Sequence, residues 1–124
     1  MKKITLEELL NRKLDNGLQT KDVEIKNLGG SIPVVKQPLA TVLRIMGGIN
    51  KDTDLATQFD LMKELIYTAC PLLHNKELQE HYECVEPTDI VCKVLHDNLE
   101  DISTLAEEIM DFYGAVNIMD EIKK

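Results

Sequence analysis

The chain has no tryptophan and only three tyrosines and two phenylalanines, an aromatic content of 4%. That scarcity excludes a base-stacking platform for single-stranded nucleic acid. A core must then be built from Leu, Ile, Val and Met, which suits interlocking helices. Basic residues are outnumbered, with 14 Lys and Arg against 22 Asp and Glu, for a formal net charge of −8. Such a surplus repels phosphate backbones and removes the attraction that carries non-specific DNA or RNA binding. Three cysteines, Cys70, Cys84 and Cys92, are odd in number and make no disulfide framework, as expected in a reducing compartment. No long uncharged apolar run occurs, and Met1-Lys2-Lys3 leads into charged residues, not into a signal-peptide core. The expectation is a cytoplasmic protein with no membrane partner.

What is present fits one domain spanning 1–124: 124 residues with 44% hydrophobic side chains bury most of their apolar surface in a single core. Thr5-Leu6-Glu7-Glu8 has the spacing of a capping box and predicts a short helix to about Leu14, which Asp15-Asn16-Gly17 breaks. Residues 21–36 alternate with period two around Leu28-Gly29-Gly30-Ser31, predicting a hairpin with a two-residue glycine loop. In that register Ile25 opposes Val34 and Asn27 opposes Ile32. Val23, Ile25, Ile32 and Val34 share one face, and Pro33 confines its strand to an edge.

From Pro38 the period becomes helical and stays so to about residue 113, giving an α+β protein, mainly α-helical, with one N-terminal β-hairpin. Leu39, Val42, Leu43 and Met46 form one stripe, closed by Gly47-Gly48. A second helix, capped by Asp52 or Thr53, carries Leu55, Phe59, Met62, Leu65, Ile66 and Ala69 and ends near Pro71. A shorter helix is expected at 76–82. Pro87-Thr88 opens a last helical region that His96-Asp97-Asn98 can break, after which Leu99, Ile102, Leu105, Ile109, Met110 and Tyr113 continue to Gly114. Residues 115–124 are a weakly amphipathic tail.

Chemistry-bearing residues are sparse. Cys70 with His74, His81 with Cys84, and Cys92 with His96 have helical spacing that could chelate zinc, yet no C-x-x-C occurs and Pro71 interrupts the first pair. No metal or other cofactor is expected, and the cysteines read as small buried hydrophobes. A cysteine or carboxylate enzyme would need an oriented constellation that no local pattern supplies. Glu7-Glu8, Glu100-Asp101 and Glu107-Glu108 diverge around their helices and read as solvated faces. The glycine pairs lack the lysine and helix start of a phosphate loop. The expectation is a non-enzymatic protein that binds another protein.

The succession of a leading helix, the hairpin Val23-Glu24-Ile25-Lys26-Asn27-Leu28-Gly29-Gly30, the helix from Pro38 to Met46, and Pro87-Thr88-Asp89-Ile90-Val91 followed by Leu105 through Ile109-Met110 and Gly114 resembles the XkdN-like family of phage tail assembly chaperones. Where that family tends to have an aromatic residue and a Pro-Gly-Glu-Ile turn, this chain has His96-Asp97-Asn98-Leu99-Glu100-Asp101-Ile102. The resemblance implies a cytoplasmic protein of a contractile-tailed phage, prophage or phage-tail-like bacteriocin whose client is the tape measure protein. The rival readings are a structural tail component and a regulatory or antitoxin-like protein-binding module. Phe112, Tyr113, Val116, Ile118, Met119 and Ile122 extend apolar character past the Gly114 cap. They are the expected surface for the client or for self-association.

Overall fold

The computed structural model describes residues 3–11 and 19–114. Among them the chain is mainly helical with one antiparallel hairpin near the N-terminus, as the change of period at Pro38 predicts. Helix α1 (Leu6–Asn11) begins where the Thr5 hydroxyl accepts from the Glu8 amide at 3.2 Å. Strands β1 (Thr20–Ile25) and β2 (Gly30–Val35) follow, then α2 (Leu39–Met46), α3 (Leu55–Ala69), α4 (Lys76–His81), α5 (Asp89–Val94) and α6 (Leu99–Asp111).

The hairpin register differs from the expected one. Ile25 pairs with Gly30 and Val23 with Ile32, because the connection is four residues long and not two. Lys26–Leu28 form a 3-10 turn, and Gly29 alone takes the left-handed conformation, at φ 67°, that lets the chain re-enter the ladder. The slip is four positions, an even number, so the inward face survives: Val23, Ile25, Ile32 and Val34 are all buried.

A two-stranded ribbon is marginal alone, and this one lies on the helices. Its inner face joins a single cluster with Leu65, Ile66 and Ala69 of α3, Ile90 and Val91 of α5, and Leu105 and Ile109 of α6. Each fully buried Leu, Ile or Val contributes roughly 1.5–3 kcal/mol of transfer free energy before entropy is subtracted. Helix α3 is the central element and packs on α2, α5 and α6. In α2 the packed stripe is Val42, Ile45 and Met46, while Leu39 and Leu43 face outward. The α3 cap is Asp54, which accepts from the Thr57 amide at 2.7 Å, and not Asp52 or Thr53. Thr53 instead accepts the Asn50 amide in the preceding turn.

The predicted break between α5 and α6 is present. His96 and Asp97 both have left-handed backbone, at φ 53° and 56°, residue types that tolerate it better than most. Asn98 then caps α6 by accepting the Asp101 amide at 2.9 Å. No helix among the described residues is long and apolar enough to cross a membrane.

Candidate functional site

Two places in the fold bear on binding. The first is where the hairpin meets the end of α6. The Lys21 ammonium donates to the Glu108 carbonyl at 2.7 Å and lies 3.0 Å from the Glu108 carboxylate and 3.5 Å from that of Asp111. A cation there compensates the negative end of the helix and donates to the Glu108 carbonyl in its last turn. The same ammonium stands 4.9 Å over the Phe112 ring. Next to it, the Tyr113 hydroxyl donates to the Gln37 carbonyl at 2.6 Å and accepts from the Gln37 amide at 2.8 Å. Burial pushes the Tyr113 phenol above its ordinary range, and the Gln37 amide pulls it part of the way back.

Phe112 and Tyr113, expected as partner-binding residues, are thus half-buried and engaged within the chain. Val116, Ile118, Met119 and Ile122 lie outside the described residues. The hairpin turn is also tied down, since the Asn27 side chain donates to the buried Asp101 carboxylate at 2.7 Å. Together these contacts fix both ends of the ribbon against α6.

The second place is an open groove of about 530 Å³ between α3 and α6. Its walls are Leu55, Phe59 and Met62 from α3, Ile49 from the preceding turn, and Leu99 from the start of α6. Leu55 is 79% exposed and Leu99 62% exposed, although both sit on apolar stripes. Short side chains, Ser103 and Thr104, make the α6 side, with Gln58, Glu100 and Glu107 as the polar rim. Mostly apolar walls with a few polar groups suit a hydrophobic side chain or helix face. The lining residues include no cysteine, histidine or lysine, so nothing there can act as a thiol nucleophile or imidazole base.

The sequence reading assigned Leu55, Phe59, Met62 and Leu99 to core stripes; Met62 is buried as expected, but Leu55, Phe59 and Leu99 border an open groove. The signal available was the Ser103-Thr104 pair, short polar side chains beside the α6 stripe on the side of Leu99.

None of the three cysteines lines the groove. Cys70 is buried and its thiol is pushed up to about 12 by burial. Cys92 is half-buried and likewise raised, chiefly by burial. His74 stacks on Tyr67 at 4.4 Å between ring centroids, with its Nε2 atom 2.6 Å from the Tyr67 carbonyl oxygen. Among the described residues no three His, Cys, Asp or Glu side chains are grouped as metal ligands.

Comparison with protein-family models, with curated proteins and with solved structures found no match.

Proposed function

We propose that this protein is a non-enzymatic assembly chaperone of the phage-tail type, which binds the tape measure protein in the cytoplasm during assembly of a contractile tail or tail-like bacteriocin. The observation that carries the reading is the open apolar groove between α3 and α6, in which Leu55 and Leu99 face solvent. A long tape measure chain exposes helical apolar stripes before the tail tube encloses it, and a groove of this chemistry can cover one such stripe. The net charge of −8 supports the reading from another side, because it keeps a chaperone–client complex dispersed. The order of elements that resembles the XkdN-like family lends further support.

The test is co-expression with a candidate tape measure protein, followed by affinity capture. Leu55→Glu and Leu99→Glu are informative because both side chains are mostly exposed, so thermal stability should be nearly unchanged. Capture should fall at least tenfold in either variant, the equivalent of about 1.4 kcal/mol. Undiminished capture by both would refute the groove as the client site. Recovery of the chain at fixed stoichiometry in purified tails would favour a structural component.

A further inference from the structure

The hairpin has two outer edges, and they differ. The Lys36 amide donates to the Gln19 carbonyl at 2.8 Å, so the pairs that exchange hydrogen bonds are Lys21 with Val34, Val23 with Ile32 and Ile25 with Gly30. In β1 the amides and carbonyls of Thr20, Asp22 and Glu24 therefore point away from the partner strand, as do those of Ser31 and Val35 in β2. Pro33 shares that outward phase, so β2 lacks the central donor that an added strand needs. The edge of β1 keeps its three donors, and none of them is bonded among the described residues. Charge marks the same edge. The side chains of Asp22 and Glu24 are exposed, and across the hairpin they face Pro33 and Ser31, so the ladder gives neither carboxylate a cation. Lys21, the cation of β1, is turned instead to Glu108 and Asp111 at the end of α6. An intact strand edge thus carries two carboxylates, two residues apart on one face, with no cationic partner among the described residues.

We infer that the outer edge of β1 takes up, as a third strand, an extended segment of another protein that carries Lys or Arg at every second position. Its backbone bonds to Thr20, Asp22 and Glu24, and its cations lie opposite the two carboxylates, where side chains of one face meet across a ladder. A second copy of this chain fits worse, because full antiparallel overlap of two β1 strands sets the two Asp22 carboxylates opposite each other. The edge shares no residue with the α3–α6 groove, so the inference is independent of the client reading.

Amide NMR on the full chain tests this with a synthetic peptide of alternating Lys and Val, as long as the six residues of β1. At millimolar peptide the Thr20, Asp22 and Glu24 amides should shift saturably and gain protection from hydrogen exchange. Those of Lys21, Val23 and Ile25 are already bonded within the hairpin and should gain none. Reversing the edge charge with Asp22→Lys and Glu24→Lys together alters exposed side chains only, so circular dichroism and melting temperature should be retained. Affinity for the Lys peptide should then fall about tenfold. A peptide of alternating Glu and Val, silent on the wild type, should bind the variant. Absence of protection at millimolar peptide, protection without the alternation along β1, or equal uptake of both peptides by the wild type would overturn the proposal. So would protection of the same three amides that grows with protein concentration alone, which would make the occupant a second copy.

Discussion

Replacing Tyr113 by phenylalanine removes one oxygen atom and two hydrogen bonds, both to the backbone of Gln37 at the exit of the hairpin. Each such bond contributes about 0.5–1.5 kcal/mol net. The phenol is half-buried, so water recovers part of the loss, and the expected cost is about 1–2 kcal/mol in total. For a chain of this size that lowers the melting temperature by about 3–8 °C. Thermal unfolding followed by far-ultraviolet circular dichroism at neutral pH measures it.

The pH dependence gives a second readout from the same variant. Burial raises the folded pKa of Tyr113 above its ordinary 10.0. The associated stability is fully present below that ordinary value and is lost as pH rises through the folded one. The gap between wild type and variant should therefore hold constant to about pH 10 and narrow above it. A melting temperature unchanged to within about a degree, together with weakened client capture, would refute the reasoning and return Tyr113 to a binding surface.

Asn98→Ala removes the α6 cap and should cost about 1 kcal/mol, measurable as a shift in urea midpoint with unchanged slope. Gly47→Ala would put a Cβ against the Leu43 carbonyl oxygen, which the Gly47 amide already uses, so the end of α2 must shift at a cost of roughly 1–3 kcal/mol in chemical denaturation. In the native protein Cys70 should resist a thiol reagent at pH 8 while Cys84 and Cys92 react, with Cys70 labelled only on unfolding. Equal rates at all three cysteines would contradict the buried position of Cys70.

The elements were legible in the sequence because their signals are local. The period-two run before Pro38, the His96-Asp97-Asn98 break ahead of α6 and Pro71 after α3 each act within a few residues of where they are read. Errors arose where several local solutions were equivalent. Asp52, Thr53 and Asp54 can all cap a helix, and the tertiary position of the preceding turn selected Asp54. Two adjacent glycines suggested a two-residue loop, but only Gly29 needs positive φ, and the longer loop carries Asn27 to Asp101. In α2, six of eight residues are apolar, so periodicity alone could not choose between a face with Leu39 and Leu43 and one with Ile45.

The groove was illegible for a different reason. Leu55 and Phe59 continue the same stripe as Leu65 and Ile66, and nothing in α3 marks where burial stops. That point is set by what α6 offers opposite. Deeper along α6, Leu105, Ala106 and Ile109 fill the contact and are wholly buried. At Ser103 and Thr104 the side chains are short and polar, so they cannot reach across to Leu55 and Phe59. A leucine at either place would close the interface and add stability, since filled cores are the favoured state. With Ser103 and Thr104 in place, Leu55 and Leu99 stay largely exposed. On the proposed function, a client helix would supply the side chains that Ser103 and Thr104 leave out.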